Sequence, residues 1–440
     1  MPQIPRRMLL VLLIYLTVFT SATAGDVVVV TSFPKELFET YKKAFETKHP
    51  NVTVVVKSKS TSASVAYIRE TKANPDADLI WVSATDAFAV LKENGLLARH
   101  TLPAGLADRI PETIGPYPVH DPDGMYFGFA LSGYGMMWNK RYMQAYRLKP
   151  PAEWTDLTDP AYHGHLSMSA PSRSGTTHLM VESILQGAGW DRGWHILMNL
   201  CGNMATITER SFGVPQGVNN GEFGIGLVID FFALSAMASG FPVDFAYPSE
   251  TPIMPAGIGM IKNGPNPENA RAFIHFLLSE TGQMLLFEPQ ISRLPVLPGL
   301  YAQAPEGFPN PFQMAASGAT FNIGISEQRY GLINSLFDQV ITFRLQNLKD
   351  AWGAIYRAET AIQKANGEDV TRAKALIAQA RLLVNSVPVT EAQANDPAFN
   401  GHFKKESTET QARYETEWDA FTKTNYTRAK QLATRAMDAF

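Results

Sequence analysis

Cysteine and catalytic motifs are nearly absent from this 440-residue chain. Its single cysteine, Cys201, lies among apolar residues and cannot form an internal disulfide bond. The chain has no G-x-S-x-G nucleophile elbow, no H-E-x-x-H zinc motif and no phosphate-binding P-loop. Its nine histidines show no spacing typical of metal ligands, and His163 and His165 come nearest to one. We therefore expect no catalytic residues, no metal ion and no cofactor.

An excess of positive charge is also lacking, since 41 Asp and Glu residues face 38 Lys and Arg residues. This mildly negative balance argues against nucleic acid or an anionic membrane surface as a partner. Beyond residue 24, no apolar run is long enough to span a membrane. We expect a monomer that binds no nucleic acid.

The start of the chain has the three parts of a secretory signal peptide. Arg6 and Arg7 form a basic region, Met8–Phe19 is apolar, and Ala22–Ala24 matches an A-x-A cleavage site. Cleavage there would leave Gly25 as the first residue and place the protein in the periplasm of a Gram-negative cell. The alternative is an uncleaved membrane anchor, but the apolar run is short for a membrane span.

Strands alternate with helices in the part of the chain that follows. Apolar runs at Asp26–Val30, Val52–Val56 and Asp78–Val82 predict buried strands, each followed by a helix. This alternation is typical of an α/β fold with a parallel sheet. Ligands bind such sheets at the carboxyl ends of the strands, and here those ends carry hydroxyl groups. The hydroxyl residues that we assign to a binding site from this region are Ser32, Thr61 and Ser83.

Two lobes are expected, because the Gly- and aromatic-rich strand Tyr126–Asn139 leads into a second α/β region and Pro252–Ile261 has the pattern of a return strand. Two such crossings form a hinge around a cleft. From Glu327 onward, apolar residues at helical spacing predict a helical appendage. The predicted divisions are a signal peptide at 1–24, lobe 1 at 25–127 and 252–326, lobe 2 at 128–251, and a helical C-terminal extension at 327–440.

The segment from Ser169 to His178 is the strongest candidate for a binding element. It is a small, hydroxyl-rich loop with one arginine that leads into a predicted helix. N–H groups at a helix start carry partial positive charge and bind anions, and an arginine adds a cation suited to phosphate or carboxylate. The alternative is an ordinary helix cap beside a solvated arginine. The candidate residues of this loop are Ser172, Arg173, Ser174, Gly175, Thr176 and Thr177.

Three further candidates come later in the second lobe. Arg210 offers a second cation with Ser211 as its hydroxyl neighbour, unless Arg210 pairs with Glu209. Asp230 ends an apolar strand, where a carboxylate must be solvated or paired. It would either accept hydrogen bonds from ligand hydroxyls or hold an arginine in place. Because acidic residues lie in this region, the sequence also leaves open a neutral or cationic ligand.

Several segments resemble the extracellular solute-binding proteins of ABC importers, in the two-lobed class that includes ferric-ion and sugar-phosphate binders. These segments are Val27–Phe33, Asp78–Trp81, the W-x-D-L element Trp154–Leu157 and the helix Glu268–Leu278. Others are similar, within that class, to the periplasmic phosphoglycerate transport regulatory proteins. They are Ser172–Ser174, His178–Ser183, Arg210–Val214 and, near the C-terminus, Phe343–Leu345 and Leu348–Trp352.

The resemblance implies a type II periplasmic-binding fold and a protein that captures a small anion without chemical change. One implied role is delivery of a phosphoglycerate-like metabolite to an inner-membrane ABC permease. The other is sensing of that metabolite for a membrane sensor protein. Ferric-ion binders of this class typically carry two adjacent tyrosines, which this sequence lacks, so iron is not expected. The enzyme alternative, a secreted phosphatase, has no motif to support it.

Overall fold

The computed structural model describes residues 25–249, 251–314, 321–363, 368–403 and 408–438. The predicted signal peptide at 1–24 lies outside these residues. In the described part, no helix combines the length and the apolar character that a membrane crossing needs. The described chain forms two α/β lobes, and its C-terminal helices pack mainly against the second lobe.

The first lobe starts with a segment in which helices alternate with strands. Its strands are β1 (Gly25–Thr31), β2 (Val52–Ser58), β3 (Leu79–Val82), β4 (Leu97–Ala98), β5 (Thr113–Ile114), β6 (Tyr117–Pro118) and β7 (Tyr126–Ser132). Its helices are α1 (Lys35–Lys48), α2 (Thr61–Glu70), α3 (Thr85–Glu93) and α4 (Ala104–Ala107). Strand β1 pairs in parallel with β2 on one side and β3 on the other, as the alternation predicts.

The second lobe contains its own five-stranded sheet. Its strands are β8 (Tyr134–Asn139), β9 (Leu166–Ser169), β10 (Met204–Thr208), β11 (Ile225–Ile229) and β12 (Val243–Ala246). Its helices are α5 (Lys140–Tyr146), α6 (Gly175–Ala188), α7 (Trp190–Gly202), α8 (Gly213–Asn220) and α9 (Asp230–Ala238). The strand order is β10-β9-β11-β8-β12, and every residue of β8, β9 and β11 is buried. Helices cover both faces of this sheet, which explains the near-continuous apolar sequence of its central strands.

The chain then returns to the first lobe. This segment contributes β13 (Met254–Ile261), β14 (Leu294–Pro295), α10 (Pro267–Leu278), α11 (Glu280–Met284) and α12 (Pro311–Met314). The main strand order of the first sheet is β14-β7-β13-β3-β1-β2, and β4 also pairs with β13. Strand β13 runs antiparallel to β3 and β7, so the sheet is mixed rather than fully parallel. The strand that brings the chain back, β13, therefore runs opposite to β1, β2, β3 and β7, the last of which carries the chain out of the lobe.

Two crossings join the lobes. The first lies at Gly133, between β7 in the first sheet and β8 in the second, a few residues beyond the boundary between 127 and 128 that the sequence suggests. The aromatic-rich segment is therefore two strands of two different sheets. A Cβ at Gly133 would lie 2.9 Å from the Tyr247 ring, so only glycine allows this close approach. The second crossing lies between β12 and β13, in the stretch that contains the expected boundary after 251.

The C-terminal extension is helical in its described part. Its helices are α13 (Ile323–Gln328), α14 (Tyr330–Phe337), α15 (Leu345–Ile362), α16 (Glu368–Asn385), α17 (Glu391–Ala394), α18 (Pro397–Asn400) and α19 (Glu409–Met437). A π-helical segment, Asp338–Thr342, links α14 to the turn before α15. Long apolar stripes make these helices pack on one another and on the second lobe, as helical spacing predicts.

The extension is fastened to the second lobe by aromatic and ionic contacts. The Trp352 indole lies against Gly202 and donates a hydrogen bond to the Met198 carbonyl at 3.1 Å. The Arg329 guanidinium makes a two-point ion pair with the buried Glu182 carboxylate, with both N–O distances at 2.8 Å. These contacts place the extension directly behind α6, the helix that the arginine-containing loop introduces.

Candidate anion-binding site

A pocket lies between the lobes, where residues that follow β1 and β3 face the start of α6. The space at its centre is about 30 Å³, room for roughly two water molecules. Its lining consists of Ser32, Phe33, Pro34, Ser60, Thr61, Ser83, Arg173, Ser174, Thr176, Arg210, Ser211, Phe212, Phe231 and Phe232. Eight of the twelve residues predicted from the sequence are therefore brought together, and they come from both lobes.

The hydroxyl groups from the first lobe lie at one edge of its sheet. Ser32 directly follows β1, Ser83 directly follows β3, and Thr61 is the first residue of α2. The Thr61 hydroxyl donates to the Ser32 hydroxyl at 3.2 Å. Because β1 and β3 are parallel, their carboxyl ends meet, which explains how residues far apart in sequence reach one pocket.

The second lobe presents the start of α6 to the pocket. Ser174 is the N-cap residue of this helix, and its hydroxyl accepts a hydrogen bond from the Thr177 N–H at 3.2 Å. In the described chain, the N–H groups of Gly175 and Thr176 have no acceptor. Such N–H groups carry the positive end of the helix dipole, so this helix start favours an anion.

Two close contacts join the lobes at the pocket. The hydroxyl oxygens of Ser83 and Thr176 lie 3.1 Å apart, which makes a hydrogen bond across the cleft. A Cβ at Gly175 would lie 2.8 Å from the Ala84 Cβ, so glycine allows the helix to approach the first lobe. The cleft is closed in this arrangement.

Two arginines face the pocket with different partners. An Arg173 guanidinium nitrogen lies 3.0 Å from a carboxylate oxygen of Glu209, whose side chain is 85% exposed. The Arg210 guanidinium lies 5.2 Å from the centre of the Phe212 ring, and it makes no ion pair with any described residue. The sequence left open a pair between Arg210 and Glu209, but Glu209 pairs with Arg173 instead.

Three predicted loop residues do not line the pocket. The Ser172 side chain lies close enough to Asp338 of the extension to lower the pKa of that carboxyl, which burial raises overall. Thr177 is 3% exposed, because the helix turns its side chain into the second lobe. Gly175 does not line the pocket; its lack of a side chain lets α6 pack closely against the first lobe.

Asp230 is the fourth predicted residue outside the lining. It begins α9, and its buried carboxylate accepts hydrogen bonds from the Gly133 N–H at 2.7 Å, the Phe231 N–H at 2.7 Å and the Tyr247 hydroxyl at 3.0 Å. Burial raises the pKa of Asp230 to about 6, although these hydrogen bonds oppose the shift. Asp230 therefore fastens the first crossing and touches neither the pocket nor an arginine at ion-pair distance.

Sequence reasoning missed the aromatic part of the site and one arginine. Phe33, Phe212, Phe231 and Phe232 all line the pocket. Arg293 lies beside it, 3.2 Å from the centre of the Phe231 ring. The sequence does contain a sign of this arginine. Arg293 is a charged residue between the apolar Ile291 and Leu294, in a segment that is expected to be buried.

The charges of the pocket are of one sign. Within the described chain its lining contains two arginines and no carboxylate. Five helices begin at or beside its lining residues, namely α1, α2, α6, α8 and α9. No group of three or more His, Cys, Asp or Glu residues that suits a metal ion occurs among the described residues. The arrangement is suited to holding an anion by arginine, hydroxyl and N–H contacts.

The site lies in a region that matches a known protein family. The family described as Bacterial extracellular solute-binding protein matches residues 40–316, which include parts of both lobes and both crossings. The chain is also similar to the Phosphoglycerate transport regulatory protein PgtC of Salmonella typhimurium, with 33% identity over 387 residues. That alignment covers 88% of this chain and 91% of PgtC, so it extends into the C-terminal helices.

Solved structures show the same fold. AfuA of Actinobacillus pleuropneumoniae, solved with fructose-6-phosphate, has a TM-score of 0.61 and 22% identity, covering 72% of this chain and 98% of AfuA. Iron-bound HitA of Pseudomonas aeruginosa has a TM-score of 0.58 and 18% identity, covering 70% of this chain and 98% of HitA. The predicted fold class, two α/β lobes of the type II periplasmic-binding class with added C-terminal helices, is confirmed.

Proposed function

The chain belongs to the bacterial extracellular solute-binding protein family, and we propose that it captures a small phosphorylated organic acid between its lobes. Proteins of this family bind solutes and deliver them to ABC transporters, and they are not enzymes. The prediction of a non-catalytic protein is therefore confirmed by the family. The nature of the solute is our proposal.

The main support for this proposal is that the charged side chains in the described lining of the pocket are all positive. Arg173 and Arg210 supply positive charge, and seven lining hydroxyl groups supply hydrogen-bond donors. The lining residues include no described carboxylate that could receive a polyamine or another cation. A phosphate group matches the planar fork of an arginine and the N–H groups of a helix start.

The similar proteins point to the same class of solute. PgtC carries phosphoglycerate in its name, and AfuA was solved with a sugar phosphate. HitA binds iron, but the pocket described here offers no carboxylate, histidine or tyrosine as an iron ligand. Among the solutes of these proteins, the phosphorylated ones therefore fit the described lining best.

Delivery to an inner-membrane ABC permease is the first proposed role. A second role, as a periplasmic sensor that controls phosphoglycerate uptake through a membrane partner, is favoured by the extension. Its Asp338 contacts Ser172, the neighbour of Arg173, so the extension touches the loop that would meet the solute. Both roles place the protein in the periplasm, after removal of the predicted signal peptide.

A thermal-shift screen tests the proposed solute class. The protein, purified from the periplasm, would be heated with phosphoglycerates, phosphoenolpyruvate, hexose phosphates, inorganic phosphate, dicarboxylates, polyamines and ferric citrate. A solute that binds the folded state raises the melting temperature, so we expect an increase with a phosphorylated acid. An increase with a polyamine or ferric citrate, and none with any phosphorylated compound, would refute the proposal.

A further inference from the structure

Arg293 is a buried cation whose N–H groups have no acceptor. The residue is 1% exposed, and its Nε, Nη1 and Nη2 atoms lack hydrogen-bond partners among the described residues. A guanidinium has five N–H donors, and burying them without acceptors costs free energy. An arginine in this position is expected to meet an anion in another state of the protein.

The place of Arg293 connects it with the anion pocket. It lines a groove of about 570 Å³ between the lobes, within the roughly 300–1,000 Å³ of small-molecule sites. The groove and the pocket share part of their lining, including Phe33, Arg210 and Phe231. A solute held in the pocket by Arg173 and Arg210 therefore has a continuous path toward Arg293.

The backbone before Arg293 fixes the direction of its side chain. Ser292 has a φ of 45°, in the left-handed region that residues other than glycine rarely adopt. Its N–H donates to the Glu288 carbonyl and its hydroxyl to the Pro289 carbonyl, both at 2.9 Å. The next residues, Leu294 and Pro295, form β14 in the first sheet. Arg293 is thus a fixed part of the first lobe.

The cover over Arg293 comes from both lobes. Its guanidinium carbon lies 4.4 Å from the centre of the Phe33 ring in the first lobe and 3.2 Å from that of Phe231 in the second. Its burial therefore depends on α9 of the second lobe being packed against the first lobe. An opening of the cleft that separated Phe231 from Phe33 would expose the guanidinium to the space between the lobes.

No carboxylate in the described part of the chain accepts a hydrogen bond from the Arg293 N–H groups. Asp230 is close enough to affect the pKa of Arg293, but its oxygens accept from the Gly133 and Phe231 N–H groups and from the Tyr247 hydroxyl. Burial lowers the pKa of Arg293 to about 9, which leaves it charged at neutral pH. The carboxylate that lines the groove, Glu36, is exposed beside Lys35.

We propose that Arg293 binds a second anionic group of the solute, so that the cleft selects small organic acids with two anionic groups, such as phosphorylated carboxylic acids. This inference rests on the proposed function, because it presupposes that Arg173 and Arg210 hold a phosphate. Arg293 then acts as a specificity residue: it distinguishes a solute with a carboxylate from one that carries only the phosphate.

Calorimetric titration with a matched pair of solutes tests this role. Glycerol 3-phosphate has the phosphate of 3-phosphoglycerate but an uncharged hydroxymethyl group in place of its carboxylate. We expect the wild-type protein to bind 3-phosphoglycerate roughly 10- to 100-fold more tightly, the range of a charged hydrogen bond. In Arg293→Met, that preference should disappear while the affinity for glycerol 3-phosphate stays within about threefold. The control is Arg271→Met, at a partly exposed arginine of the first lobe, and it should keep the preference.

The melting temperature of the solute-free variant separates recognition from a structural role. Removing an unpartnered buried charge should leave this temperature equal or higher in Arg293→Met. A lower melting temperature, with both solutes weakened equally, would assign Arg293 to packing and overturn the inference. Equal wild-type affinity for the two solutes would also overturn it and leave the proposed function intact. Failure of the wild-type protein to bind either solute would overturn both.

Discussion

Three arginines at the space between the lobes differ in what balances their charge. Arg173 pairs with the exposed Glu209, and such surface pairs contribute only about 0–1 kcal/mol. An anionic solute can therefore replace Glu209 as the partner of Arg173 at little cost. Arg210 lies against the Phe212 ring, and Arg293 lies against Phe231. Arg210 and Arg293, which have no ion pair among the described residues, keep their positive charge available to a ligand.

The buried Asp230 carboxyl leads to a prediction about how the stability of the protein depends on pH. Its pKa is about 6 in the folded protein, against 3.8 for an exposed aspartate. Between these values the carboxyl is protonated only in the folded state, so unfolding releases a proton and stability falls as the pH rises from 4 to 6. The change is on the order of 3 kcal/mol. Asp230→Asn should flatten this part of the stability profile, measured by urea unfolding at several pH values.

The control for this prediction is Asp156→Asn, at an exposed residue far from the crossings in sequence. That variant should keep the slope of the wild-type protein between pH 4 and 6. If the stability of Asp230→Asn fell as steeply between pH 4 and 6 as that of the wild-type protein, Asp230 would not be the group that causes this pH dependence.

Single side chains were harder to predict than the loops that hold them. The sequence indicates which loops follow strands or begin helices, and so it identified Ser32, Ser83 and Ser174 correctly as neighbours. It does not give the direction of each side chain on those loops. Thr177 points into the second lobe, and Asp230 turns toward Gly133, because helix geometry and the crossing decide both orientations.

At the scale of elements, α6 connects the pocket with the extension. Its first turn faces the pocket, while His178 contacts Ser326 and Asn334 at 3.1 Å and Glu182 pairs with Arg329. Burial lowers the pKa of His178, which keeps the ring neutral at pH 7. A shift of this helix on solute binding would therefore be transmitted to α13 and α14.

The Glu182–Arg329 pair gives a prediction for the contact between α6 and the extension. Glu182→Gln leaves the Arg329 charge buried with no carboxylate partner, so it should lower the free energy of unfolding by about 3–5 kcal/mol. The loss should appear in urea unfolding monitored by tryptophan fluorescence, because Arg329 lies 5.3 Å from the Trp190 ring centre.

A surface pair supplies the comparison for Glu182→Gln. Glu268→Gln breaks an exposed pair with Arg271 of 3.0 Å, for which the expected loss is about 0–1 kcal/mol. Equal unfolding midpoints for the two variants would contradict the account of a buried pair that holds the extension in place.

The elements themselves follow well from the sequence. The strands β1, β2 and β3 and the helix α10 lie within a few residues of the apolar patterns that predict them. The exception is the segment around Gly133, which was expected to be one strand and is two. Periodicity cannot show this division, because β7 and β8 are both fully or nearly fully buried and differ only in the sheet that they join.

At the scale of the whole molecule, the two lobes meet through a few contacts at the pocket. The hydrogen bond between Ser83 and Thr176 and the approach of Gly175 to Ala84 both depend on closure. The sequence and the family resemblance predict two lobes around a cleft. They do not predict the degree of closure, because it depends on small free-energy differences between open and closed states.

A pair of cysteines, one on each side of the cleft, tests whether closure of the lobes controls entry of the solute into the pocket. Ser83 and Thr176 have hydroxyl oxygens 3.1 Å apart, and the natural Cys201 is buried. The oxidised Ser83→Cys, Thr176→Cys protein should not bind 3-phosphoglycerate, since the closed pocket of about 30 Å³ holds roughly two waters. Reduction should restore binding in calorimetric titration. Binding by the oxidised protein as tight as by the reduced protein would place the solute elsewhere.

The most direct test of the central claim is calorimetric titration of 3-phosphoglycerate into the wild-type protein and Arg173→Gln. Arg271→Gln is the matched control, because it also breaks an exposed ion pair of 3.0 Å but lies away from the cleft. We expect Arg173→Gln to weaken binding by roughly tenfold or more and Arg271→Gln to leave it unchanged. Equal affinity in all three proteins would contradict an anion site between the lobes.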